Sequence, residues 1–186
     1  GYVQAVPRRD SVLGGYSNLN VSINQTVNRL AFVKYGNDGK SYLYVSSPMN
    51  LIADLQGYMD PNAFDDIEDT RLLDTRISGV KVGAGSQTLI RGRANTTGVI
   101  SIVATQPAGP GYLQAMSTGD TAGATSNLNV NARGETVGAL AFVKFDENGV
   151  APIYITTESH LVVDLQGYMQ EGAFDDVTDK RVLDTR

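Results

Sequence analysis

The chain has no cysteine, no tryptophan and one histidine, His160, among its 186 residues. Without cysteine there is no disulfide, no thiolate metal site and no cysteine nucleophile. One histidine leaves His-rich zinc sites and proton shuttling without their parts. No apolar run approaches the roughly 20 residues that a membrane-spanning helix needs; the apolar runs, such as Leu30-Ala31-Phe32-Val33, are short and broken, so membrane insertion is not expected. Basic residues number 15 against 20 acidic ones, a net charge of −5, which argues against nucleic acid as a partner. The start, Gly1-Tyr2-Val3, carries no basic or apolar leader and says nothing about where the protein resides. What remains is an ordinary globular composition, 41% hydrophobic and 19% charged, long enough for one generous domain or two small ones.

Self-similarity dominates what is present. Residues 26–76 align without a gap on 136–186, and 26 of the 51 positions are identical. Leu30-Ala31-Phe32-Val33-Lys34 returns at 140–144, Asp54-Leu55-Gln56-Gly57-Tyr58-Met59 at 164–169, and Ala63-Phe64-Asp65-Asp66 at 173–176. Each copy closes on Leu-Asp-Thr-Arg, at 73–76 and 183–186. The openings match as well: Gly1-Tyr2 with Gly111-Tyr112, and Ser17-Asn18-Leu19-Asn20-Val21 with 126–130. Only 77–110 occurs once. The division expected is a first β module over 1–76 and a second over 77–186 that includes segment 77–110.

The local patterns are those of strands. Leu19, Val21 and Ile23 alternate with polar residues, a period of two. Tyr42–Val45 and Ile153–Thr156 are rich in aromatic and β-branched residues. Asn37-Asp38-Gly39 and Glu147-Asn148-Gly149 supply turn chemistry between apolar runs. In 77–110, Gln87–Ile90 and Val99–Val103 flank a polar loop and predict one more hairpin. No 12-residue window carries a 3.6-residue apolar stripe. The expectation is an all-β protein of tandem, jelly-roll-like β-sandwich modules with a bridging β-hairpin segment.

The strings Ser-Asn-Leu-Asn-Val, Asp-Leu-Gln-Gly-Tyr-Met and Arg-Leu-Leu-Asp-Thr-Arg resemble a repeat of bacterial, notably actinobacterial, secreted and cell-surface proteins. There the motifs read Ser-x-Leu-Asn, Asp-Val-x-Gly-Tyr-Phe and Arg-Leu-Leu-Asp-Thr-Arg. The resemblance covers nearly the whole chain. It implies an extracellular β-rich module and names no catalytic residue.

Asp54 and Asp164 follow apolar strand residues, and they are expected to accept backbone or arginine hydrogen bonds at a strand edge. A catalytic role is disfavoured because no His or Ser partner is duplicated at a matching spacing. Asp74 with Arg76, and Asp184 with Arg186, place opposite charges two residues apart, either as a latch between modules or as solvated turns. Asp65, Asp66 and Asp69, with Asp175, Asp176 and Asp179, read first as a solvated acidic loop. Calcium is the one cofactor the sequence leaves open there, although the spacing fits no EF-hand. Tyr58 and Tyr168 are expected to pack. Tyr42 and Tyr44 would share a strand face, buried or stacking on sugar. His160 aligns with Asn50 and reads as an exposed turn residue. Asn20, Asn24 and Asn95 begin glycosylation sequons.

The function expected is that of a non-enzymatic extracellular structural repeat protein, a subunit or segment of a cell-surface filament, sheath or array. It would assemble with itself through strand edges. The alternative is a module binding cell-wall polysaccharide or another glycan, calcium-assisted or not. One segment like 77–110 serves two modules in this chain, so one module is expected to stay open. Module 1–76 is the one expected, because nothing in this chain precedes Gly1.

Overall fold

The computed structural model of the protein describes residues 1–117, 119–177 and 185. It is nearly all β, with 41% strand and 2% helix. All named strand pairs are antiparallel. Alternating and β-branched stretches form strands, and the chain lacks the apolar spacing that would let a helix bury one face.

Eight strands build one sandwich-like unit. They are β4 (Phe64–Asp74), β5 (Ser86–Arg91), β6 (Thr97–Thr105), β7 (Gly111–Ala115), β8 (Leu128–Val130), β9 (Thr136–Lys144), β10 (Val150–Ile155) and β11 (His160–Met169). One sheet has the order β5-β10-β7-β8, the other β4-β11-β6-β9. Both contribute to a single core, with Ile90, Leu113, Ile153 and Ile155 from the first and Ile100, Ile102, Leu161, Val163 and Leu165 from the second. Phe145, fully buried, joins it just after β9. The central strands β6 and β11 are buried on both faces, as expected of strands flanked on each side and covered above and below.

Two features differ from the sequence expectation. The segment 77–110 is not a hairpin: β5 pairs with β10, whereas β6 pairs with β9 and β11 in the opposite sheet. The loop between β5 and β6 therefore arches from one sheet to the other. The turn at 145–149 does the same, carrying β9 and β10 into different sheets. Turn residues read correctly from the sequence do not determine whether the flanking strands pair with each other or with strands far away.

The second difference concerns copy 1. Its β1 (Tyr2–Val6), β2 (Leu19–Asn20) and β3 (Tyr42–Val45) form one three-stranded sheet of order β2-β1-β3, and not a second sandwich. The sheet repeats β8-β7-β10 residue for residue. Gln4 lies opposite Tyr44 as Gln114 lies opposite Tyr154, and Val3 opposite Leu19 as Leu113 opposite Leu128. Asn18 accepts from the Ala5 amide at 2.6 Å and Asn127 from Ala115 at 2.7 Å. The segments 26–36 and 46–60, which correspond to β9 and β11, form no strand. Arg29, Phe32 and Lys34 instead reach Gly138, Phe142 and Asp66 on the outer strands β9 and β4.

Candidate functional site: the junction between repeats

β4 carries the closing motif of copy 1, yet it lies along β11 of copy 2 from Asp74 opposite Val162 to Phe64 opposite Met169. The side chains at this seam come from the motifs that recur. Asp164, only 5% exposed, stands directly across from Arg71. Arg71 donates to it from Nε, and from Nη2 at 3.3 Å, while Nη1 donates to Asp74 at 2.7 Å. The remaining Nη2 hydrogen bond reaches the Gly15 carbonyl in copy 1 at 3.0 Å. Burial pushes the Asp164 carboxyl up and Arg71 pulls it back, the balance expected of a buried charge that keeps one good partner.

The Leu-Asp-Thr-Arg motif turns the chain off the sheet. Asp74 accepts from the Arg76 amide at 3.1 Å, and its carboxylate takes two further hydrogen bonds from the Arg76 guanidinium at 2.8 and 2.6 Å. These bonds hold the Asp74 carboxyl down at about 2. The buried Thr75 hydroxyl accepts from the Leu161 amide at 2.9 Å and contacts His160 Nδ1 at 3.1 Å. The one-turn helix α1 (Thr75–Ser78) then ends at Gly79. Asp74 and Arg76 thus pair with each other, and the bond between copies is made by Arg71, which the sequence reading passed over. Its recurrence as Arg181 within the closing motif was the available signal. His160 opens β11 rather than occupying a turn.

The Asp-Leu-Gln-Gly-Tyr-Met motif has an equally local logic. The register of β11 shifts between Leu165 and Gly167 on both of its neighbours, so Leu165 and Tyr168 both join the core cluster. A Cβ at Gly167 would overlap the Phe64 ring. Tyr168 packs edge-on against Phe145, with centroids 6.3 Å apart, and its hydroxyl accepts from the Arg93 amide at 3.0 Å. The Arg93 guanidinium sits 4.3 Å from the Tyr168 ring centre and pairs with Asp65 at 3.0 Å. Phe145 in turn fills space left by one glycine of the β5–β6 arch and one at the start of β6: a Cβ would lie 2.5 Å from its ring at Gly92 and 2.7 Å at Gly98.

The acidic stretch expected as a loop is the start of β4. Aspartate is a poor strand former in isolation, but this strand is an edge whose carboxylates find cations. Asp65 meets Arg93, and Asp66 meets Lys34 at 2.6 Å. Asp69 is pushed up to about 7 by burial first, then by the charges of Asp164 and Asp66. Among the described residues no three acidic or histidine side chains converge where a metal ion could sit. Asp175 is exposed; Asp179, Asp184 and Arg186 lie outside the described residues. The aromatic pairs Tyr2–Tyr44 and Tyr112–Tyr154 recur at 5.9 and 6.4 Å. Tyr42 lies under the Arg9 guanidinium.

An aromatic row crosses the junction. Phe32 stacks on Phe64 at 5.5 Å and meets Phe142 edge-on at 6.1 Å, and Phe142 stacks on Phe174 at 4.6 Å. Phe32 corresponds to Phe142 and Phe64 to Phe174, so the same stacked pair appears once per copy. The turns before Phe64 and Phe174 also match, Ala63 donating to Asp60 and Ala173 to Gln170, and the two turns are joined by Gln170 donating to Ala63 at 3.0 Å. Compared with known protein families, curated proteins and solved structures, the chain gives no match.

Proposed function

We propose that this protein is a non-enzymatic structural repeat protein of the cell surface, built to extend as a filament, sheath or array of its own copies. The observation that carries the reading is the placement of β4: the closing strand of one repeat is an edge strand of the next repeat's sheet. A strand shared across the motif boundary leaves no free hinge there. Successive units then take one relative geometry, as a load-bearing array requires. The turns of 60–63 and 170–173 are short, and the stacked phenylalanines lie directly across the joint. A buried ion-pair cluster, Arg71 with Asp164 and Asp74, joins the repeats. The resemblance to secreted bacterial repeats supports an extracellular setting.

Negative-stain electron microscopy of the native material at neutral pH tests this. Ordered filaments or arrays whose axial repeat matches one 110-residue unit are expected. Isolated particles at every concentration would overturn it and favour the glycan-binding alternative, which a wall-polysaccharide pull-down would then examine.

A further inference from the structure

Copy 1 holds the same residues as the seam of copy 2 with the opposite exposure. Leu55 is 61% exposed where Leu165 is 2%, and Tyr58 is 79% exposed where Tyr168 is 7%. Tyr35 and Tyr58 already face each other at 6.2 Å, matching the 6.3 Å of Phe145 and Tyr168, but Tyr35 too is exposed. Gly57 has no atom within 4 Å of where its Cβ would be, whereas the equivalent Gly167 lies beneath the Phe64 ring. Asp54 is exposed, whereas Asp164 is buried against Arg71. Among the described residues one edge of β3 is unpaired where β10 is covered by β5. Each difference corresponds to a missing contact, and the missing contacts come from the stretch that runs from β4 through β6, the β5–β6 loop included.

We infer that the open half-unit of copy 1 is a preformed acceptor for the leading segment of another copy of this repeat, a stretch with the residues of 64–105. The chemistry required of the occupant is specific. A phenylalanine must cover Gly57, and an arginine must reach Asp54 across a paired strand. Two glycines must admit the Tyr35–Tyr58 pair, and a backbone amide must meet the Tyr58 hydroxyl. A β6-like strand between 26–34 and 50–59 would bring both into a sheet, since each depends on that strand for its ladder in copy 2. The half already built, β2-β1-β3, has the register of its completed counterpart, so binding demands no rearrangement there. Apolar side chains left exposed over so short a stretch mark a surface meant to be covered.

The test joins a second copy of residues 64–110 directly ahead of Gly1 in the full chain, reproducing the Pro110–Gly111 connection. Hydrogen exchange is then followed at residues 51–59. Protection at Leu55 and Tyr58 is expected to rise about a hundredfold or more over the parent chain. Exchange unchanged from the parent overturns the inference. The same fusion with Gly98→Val in the added segment separates docking from tethering. It should lose the gain at 51–59 and keep the protection of 64–169; a gain that survives also overturns the inference. The outcome is independent of array formation. The array reading is judged separately, on the parent chain under the electron microscope, because the fused chain no longer offers an open half-unit; an absence of arrays there would sink that reading alone.

Discussion

Arg71 on β4 and Asp164 on β11 stand directly opposite each other and close a two-point ion pair between residues 93 apart in sequence. Removing Arg71 strands a buried carboxylate. Arg71→Ala should cost about 2–3 kcal/mol in chemical denaturation at neutral pH, somewhat below the usual figure for a buried pair because Arg71 keeps a third of its surface in water. The double variant with Asp164→Asn should cost less than the sum of the two single changes. A loss below about 0.5 kcal/mol for Arg71→Ala would mean the pair is incidental to the seam.

The two glycines of the repeated Asp-Leu-Gln-Gly-Tyr-Met motif should answer oppositely to the same change. Gly167→Val drives a side chain into Phe64 and should lower stability by more than about 3 kcal/mol or prevent folding. Gly57→Val meets open space and should stay within about 0.5 kcal/mol. Thermal melts of the two variants side by side decide the matter; equal losses would show that the motif glycine serves backbone conformation alone.

Asp69 makes stability fall as pH rises. Its folded value is about 7 against an ordinary 3.8, so between about pH 4 and pH 7 the folded chain holds a proton that the unfolded chain has released. Stability tied to this proton is therefore full below pH 4 and is lost on the way to pH 7. The loss should be about 1–2 kcal/mol, discounted from the full linkage because the side chain keeps some of its water. Asp74 works in the opposite direction and lower down: its folded value near 2 contributes stability that is complete above pH 4 and lost as pH falls through 2. A denaturation series should peak at mildly acid pH, and Asp69→Asn should flatten its neutral side and raise stability at pH 7. An unchanged slope in that variant would exonerate Asp69.

Arg29 buries both terminal guanidinium nitrogens without a hydrogen-bond partner among the described residues, and burial lowers its value to about 10. It has no counterpart in copy 2, where Ala139 stands. Arg29→Met keeps the volume and removes the uncompensated charge, so it should raise the melting temperature by several degrees, about 1 kcal/mol. A drop in the melting temperature would mean that the arginine holds copy 1 on β9.

Strand positions were largely legible because their signals are local. Tyr42–Val45, Gln87–Ile90, Val99–Val103 and Ile153–Thr156 carry β-branched and aromatic density between turn residues, and each coincides with or overlaps a strand. Leu19, Val21 and Ile23 show the limit of such signals. The alternation runs for five residues, but β2 stops at Asn20 and Ile23 is 92% exposed, because a period-two pattern does not supply the strand that would pair with it. The start of β4 shows the converse: an acidic stretch with a loop-like composition is a strand because Lys34, Arg93 and the free edge of β11 are there to receive it. In the junction, Asp164 was marked out by its motif. Arg71 was passed over despite its recurrence as Arg181, and Gly92, Gly98 and Gly167 were not marked out, since nothing local distinguishes a glycine kept for space from one kept for a turn.

By itself the sequence determined that this protein is all β, that it is duplicated, and which residues recur at the joint. Those properties reside in periodicity, composition and self-alignment, which need no partner to be read. Only the tertiary structure decided that β5 and β6 arch between sheets, that β4 belongs with β11, and that identical motifs end up buried in copy 2 and bare in copy 1. The physical reason is that strand pairing and burial are relations between distant segments. The same Tyr in the same six-residue motif is core or surface according to whether the strands that cover it are within reach.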